Sequence, residues 1–346
     1  MKESIPALFI SCPVLFLVML LCLTLSLQRN ADYQTRLSLA RDTFSKNSRS
    51  AYAASIIANS IDGKKEKEKK LRFLNIAAEN APKALDRRHM RAHIAEFRGN
   101  LDHALSIYKT CHKEKRYSTE AIFAMIRIFL KLGRINEAEE IHSRYRDHPI
   151  ISAFPGYYIA GVQIAIHKGL PPRDQQDFLE HAESCRPSDA TTWYKIGFYW
   201  QRLGQKERAI RAFENALAYN PQHTNAKRSV GILYTLTEQH DRAVKCFREL
   251  IQRGEADFEI FWHCGRSYSR CNLFIMAAEM YIYANQCRPE NYSAHFNLGA
   301  VYLNNFNWFK IAVYEFQKAA RACTGSKKEN VMRLIRKTRN LIQENQ

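Results

Sequence analysis

Cys185-Arg186-Pro187 and Cys287-Arg288-Pro289 lie 102 residues apart, three times 34. Pro221 stands one such step after Pro187, and Gly197, Gly231, Gly265 and Gly299 follow one another at the same interval. A period of this length points to one supersecondary unit that cannot bury its apolar face alone and buries it against copies of itself. Apolar residues inside the period recur at helical spacing. With only 13 Gly and 10 Pro in 346 residues, the chain is unlike a collagen, a loop-rich β sandwich or a low-complexity linker. Two helices per period account for both facts.

The clearest unit is Ala190 to His223. It carries Trp193, Ile196, Gly197 and Trp200, then Gly204, then Ala209, Phe213 and Ala216, and ends at Pro221. Gly197 and Ala209 suit a close crossing of two helices, with Trp200 and Phe213 filling the space beside them. Gly204 suits the turn between the helices, because glycine adopts positive φ freely. This order and spacing resembles the tetratricopeptide repeat, with Ile196 in place of the usual Leu. Stepping by 34 recovers Val230, Gly231, Tyr234, Ala243 and Phe247, then Cys264, Gly265, Tyr268, Ala277 and Tyr281. Leu298, Gly299 and Tyr302 follow, then Ala312, Phe316 and Ala319 after a one-residue slip. Toward the N-terminus the units loosen, and Gly169-Leu170-Pro171-Pro172 replaces the usual turn in the unit that keeps Leu179, Ala182 and Pro187.

The resemblance implies an all-α chain: a right-handed α-solenoid of about eight helix pairs with a C-terminal capping helix. The expected organisation is an N-terminal anchor or uncleaved signal over 1–28, a polar connector over 29–50, the repeat array over 51–325 and the cap over 326–346. The cap is expected because Val331, Leu334, Ile335 and Thr338 recur at helical spacing among Lys and Arg, and an open solenoid needs a last helix with one polar face.

Residues Ser4 to Gln28 carry no charge. The apolar run Ile5–Leu27 would measure roughly 34 Å as a helix, enough to cross a bilayer core of about 30 Å. It is long for a cleaved signal, and the small-residue cleavage pattern is poor. Only Lys2 precedes it, whereas Arg29, Arg36, Arg41, Lys46 and Arg49 follow it. The positive-inside rule then places the array in the cytoplasm of a single-pass membrane protein, the alternative being a periplasmic or otherwise extracytoplasmic array.

Lys and Arg number 52 against 34 Asp and Glu, a formal charge of +18, which favours anionic partners without choosing among them. The chain has nine Cys but no CxxC pair, so neither a disulfide framework nor a zinc knuckle is expected. There is no P-loop, GxGxxG, GxSxG or HExxH. The chain is therefore read as non-enzymatic, with no catalytic residue, metal site or cofactor.

Function then rests on a surface. In the resembled family the first helices of the pairs line a concave groove. Its lining is expected from first-helix side chains outside the packing motif: Phe123, Arg127, Tyr194, Lys195, Phe198, Arg202, Arg228, Trp262, His263, Arg266, Arg270, Phe296, Asn297 and Asn304. Aromatic residues and Arg are the usual interface anchors, and cations pair with carboxylates. The expected partner is a protein or peptide with acidic and apolar residues, and the expected role a membrane-tethered scaffold or adaptor for a membrane-associated complex. An exported envelope assembly factor for a pilus, cytochrome or outer-membrane machine is the alternative. RNA binding is disfavoured because the cations are not interleaved repeat by repeat.

Overall fold

The structure, a computed structural model, describes residues 36–61, 66–114 and 118–344. Among them there are eighteen helices and no strand. In chain order they are α1 (Arg36–Lys46), α2 (Ala51–Ser60), α3 (Lys67–Asn80), α4 (Ala84–Arg98), α5 (Leu101–Glu114) and α6 (Thr119–Lys131). Then come α7 (Ile135–Arg144), α8 (Pro155–His167), α9 (Pro172–Ser184), α10 (Ala190–Arg202), α11 (Lys206–Tyr219) and α12 (Thr224–Leu236). The last are α13 (His240–Gln252), α14 (Phe258–Arg270), α15 (Phe274–Cys287), α16 (Tyr292–Asn305), α17 (Phe309–Arg321) and α18 (Gly325–Glu344). The described residues divide into two compact units, 36–153 with 163–169, and 154–162 with 170–344. The expected all-helical fold of tetratricopeptide-like pairs is what the chain adopts.

First and second helices of a pair start differently. Most first helices have a side-chain cap on a free backbone N–H: Ser50, Ser118, Asp189, His223, Asp257 and Asn291 accept from the turn that follows. Second helices instead follow a left-handed residue two positions upstream. Gly204 serves at φ +74, while Glu238, Asn272 and Asn307 take the same role at φ +61, +60 and +54. Asn tolerates this region through its short polar side chain, whereas Glu there costs about 1 kcal/mol or more. Glu238→Gly is expected to raise stability by about 1 kcal/mol, read as a higher urea midpoint. An unchanged or lower midpoint would show that the Glu side chain repays its strain.

The core of each late pair is a ring pressed against a helix backbone. A Cβ on Gly197 would stand 2.7 Å from Phe213 Cδ1, one on Gly231 2.9 Å from Phe247, one on Gly265 2.9 Å from Tyr281, and one on Gly299 2.8 Å from Phe316. Trp200, Phe213 and Phe247 are fully buried. The α9 pair, whose turn departs from the pattern, keeps the device too: Gly161 lies under the ring of Phe178 at 2.7 Å. At the C-terminus, Val331, Ile335 and Thr338 of α18 are buried, and Val331 and Ile335 join Ala312, Phe316 and Ala319 of α17 in one cluster.

The single-pass placement needs correcting. No helix among the described residues is long and apolar enough to cross a membrane. Most run 10 to 15 residues, about 15–23 Å, and the 20-residue α18 carries Lys327, Lys328, Arg333, Arg336, Lys337 and Arg339. The Ile5–Leu27 run that prompted the expectation lies outside the described residues. Nothing among the described residues stands for a membrane span, so the single-pass, membrane-tethered placement is not supported.

Candidate functional site

Repeat geometry brings five of the expected groove residues together in the second unit. Trp262, Arg266 and Arg270 recur along one face of α14, and Asn297 and Asn304 along the facing side of α16. Together they line a cleft of about 440 Å³. Tyr281 of α15 forms its back wall, with Ser269 and Asn305 at the edges. Burial pushes the Tyr281 phenol up to about 12, against the smaller downward pull of the neighbouring Ser269, Arg266, Asn297 and Arg270. Arg266 lies 5.9 Å from the Trp262 ring centroid. The Trp262 indole N–H is out of contact with solvent and has no hydrogen-bond partner. No carboxylate is among the described residues lining the cleft, and neither Arg266 nor Arg270 pairs with one elsewhere among them. The cleft therefore offers two open guanidinium groups and side-chain amides beside an indole face, a set suited to carboxylate and peptide groups beside an apolar contact.

His263 does not share this cleft. It is turned inward and buried, edge-on to Trp262 at 4.8 Å and stacked on Phe247 at 6.3 Å. Burial, with help from Arg266, brings its imidazole down to about 4, so it stays neutral at physiological pH. Phe296 is likewise a packing residue, its ring 5.4 Å from Tyr292 and 5.9 Å from Phe316.

Two other expected groove cations are already engaged. Arg228 of α12 donates to Asp257 at 2.6 Å, and the same Asp257 caps α14 through the Ile260 N–H. In the first unit, Arg127 of α6 forks onto Glu96 of α4 at 2.9 and 2.7 Å, and Lys131 adds a third bond at 2.7 Å. Burial alone pushes the Glu96 carboxyl up, but Arg127 and Lys131 outweigh it and bring it down to about 2. Phe123 stands half-buried on the same helix as Arg127. On α10, Tyr194 is half-buried, with its ring 5.0 Å from His223. Lys195, Phe198 and Arg202 of that helix are exposed. Ser269, Tyr281 and Asn305 were not among the expected lining. The repeat phase assigns Tyr281 to packing, and it serves both roles.

Among the described residues no group of three or more His, Cys, Asp or Glu is placed to hold a metal ion. The described thiols are free, and burial pushes those of Cys246 and Cys264 up to about 11 and 12, which leaves them weakly nucleophilic.

Comparison with known proteins agrees with this architecture. The tetratricopeptide repeat family model matches residues 190–223. A stretch of 83 residues is 25% identical to the general transcriptional corepressor trfA of Dictyostelium discoideum, covering 24% of this chain and 6% of that protein. The chain thus spans only a small part of that curated relative's length. Among solved structures, the anaphase-promoting complex hetero-tetramer Cut9–Hcn1 is similar over 86% of this chain and 58% of its own, at 12% identity and a TM-score of 0.52. That likeness is one of fold. MamA 41-end from Desulfovibrio magneticus RS-1 is similar over 49% of this chain and 94% of its own, at 21% identity and a TM-score of 0.44. YrrB, a tetratricopeptide protein described as having an unusual peptide-binding site, is similar over 54% and 95%, at 16% identity and a TM-score of 0.47.

Proposed function

We propose that this chain is a non-enzymatic scaffold that captures a peptide segment of a partner protein, and that the α14–α16 cleft is the site of capture. Tetratricopeptide proteins mediate protein–protein interactions. The observation that carries the reading is the contrast in cation pairing: Arg127 and Arg228 are neutralised by Glu96 and Asp257, while Arg266 and Arg270 stand open beside Trp262, Asn297 and Asn304. Two unpaired guanidinium groups beside an indole favour a segment with a carboxylate and an apolar anchor, and the asparagines supply donors and acceptors for its backbone.

Fluorescently labelled peptides test this directly, comparing acidic–apolar sequences with basic and scrambled ones. Arg266→Glu is expected to weaken the acidic–apolar peptides at least tenfold, and Trp262→Ala by a similar factor, with circular dichroism unchanged. Arg228→Glu is expected to act chiefly through the lost Asp257 pair, lowering stability more than affinity. Equal binding of all peptide classes, or unaltered affinity in both cleft variants, would remove the cleft from consideration.

A further inference from the structure

The outer face of α15 breaks the pattern set by its neighbours. Five register positions of each second helix point away from the array. In α11 they hold Glu207, Arg208, Arg211, Glu214 and Asn215, and in α13 Asp241, Arg242, Lys245, Arg248 and Glu249, polar without exception. In α15 the same positions hold Ile275, Met276, Glu279, Ile282 and Tyr283, and all five are exposed, Ile275 at 75%. The opposite side of α15 is as apolar, through Ala277, Tyr281 and Ala284 in the core. A helix apolar all round is a buried helix, and α15 is covered on one side only. On α17 the equivalent face is half converted, with Ile311 and Tyr314 exposed between Lys310 and Lys318. Trp308, 53% exposed, adds a further bared ring, so the apolar side chains here are more than the singly scattered ones of an ordinary surface.

We propose that this face is a self-association surface, on which a second copy of the chain docks about a two-fold axis with α15 of each copy laid along α17 of the other. Charge selects this pairing. Glu279 sits at the centre of the α15 stripe without an ion-pair partner among the described residues, so α15 against its own twin would set two carboxylates face to face. Against α17 it meets Tyr314, flanked by Lys310 and Lys318. Lys318 lies over the Tyr314 ring at 4.3 Å and 3.7 Å from Glu315 on its own helix, whereas Lys310 has no carboxylate partner among the described residues and is the cation open to Glu279. The two helices are neighbours across a cleft of about 580 Å³, with Ile282 on one wall and Lys318 on the other. The surface lies on the far side of α15 from the peptide cleft, and the inference does not depend on that cleft's function.

Sedimentation velocity on the full chain from 1 to 100 µM tests it. The chain is expected to sediment at twice its mass at the upper end. Ile275→Asp with Ile311→Asp is expected to shift association at least tenfold upward in concentration. Because both sites are exposed, far-ultraviolet dichroism should not change, nor should melting at concentrations where the parent is monomeric. Glu279→Lys is expected to weaken association, and adding Lys310→Glu to restore it. Arg266→Glu is expected to leave it alone. Monomer mass at 100 µM, or association in the double Asp variant equal to that of the parent, would overturn the proposal. The second result would assign the contact to another surface, such as the Ile5–Leu27 stretch, and loss of association in Arg266→Glu would assign it to the groove.

Discussion

Phe213→Ala is expected to lower the stability of the array by about 3–5 kcal/mol, the usual cost of truncating a fully buried aromatic side chain. The ring closes its own helix pair by lying directly on the α10 backbone, where Gly197 leaves no side chain between them. Gly197→Val is therefore expected to destabilise as well, by about 1–3 kcal/mol, because its Cβ meets Phe213 at 2.7 Å and must push the ring aside. The two losses are not independent. In the double variant the valine enters the space that the ring has vacated, so the combined cost should fall short of the sum of the single costs by 1 kcal/mol or more. Urea unfolding of the four proteins reads the cycle. Strict additivity would mean that Gly197 and Phe213 do not share the space they are seen to share.

That pair also shows why the fold could be read from the chain and most of the site could not. A glycine facing an aromatic sixteen residues on, or seventeen at Gly299, is a local demand, met inside one repeat, and its recurrence at Gly231, Gly265 and Gly299 makes it visible as a period. The sequence hides it at Gly161 and Phe178, where the interval to Gly197 is two residues longer than the period and the Gly169-Leu170-Pro171-Pro172 turn masks the pairing. The groove poses a different problem. Repeat phase identifies which side chains leave the packed faces, and it brought Trp262, Arg266, Arg270, Asn297 and Asn304 to one cleft. It does not say what each meets. Arg127 finds Glu96 and Arg228 finds Asp257 on neighbouring first helices, 31 and 29 residues away, at positions the repeat motif leaves unspecified. His263 and Phe296, read as groove residues, lean on the packing rings instead, His263 stacked on Phe247 and Phe296 beside Phe316, because each stands at the margin between the packed face and the open one.

The Glu96 cluster gives the array a predictable acid response. Glu96 is buried, with its side chain 7% exposed, and its carboxylate is held by three charge-assisted bonds from Arg127 and Lys131. Its folded pKa of about 2 lies below the value of about 4.3 expected of an unfolded glutamate. A depressed carboxyl contributes stability that is complete above the unfolded pKa and is lost as pH falls toward the folded one. A shift of this size corresponds to about 3 kcal/mol, present at pH 7 and draining away between about pH 5 and pH 2. Glu96→Gln keeps the side-chain shape and removes the charge. At pH 7 it is expected to be less stable than the parent by about 2–3 kcal/mol, because a neutral amide leaves Arg127 and Lys131 beside a buried site without a counter-charge. As pH falls the parent protonates Glu96 and loses the same contribution, so the two urea midpoints should converge by about pH 2. Other carboxylates titrate in both proteins and cancel in the difference. A gap as wide at pH 2 as at pH 7 would mean that glutamine fails by packing and that the ion cluster does not hold α4 to α6 by charge.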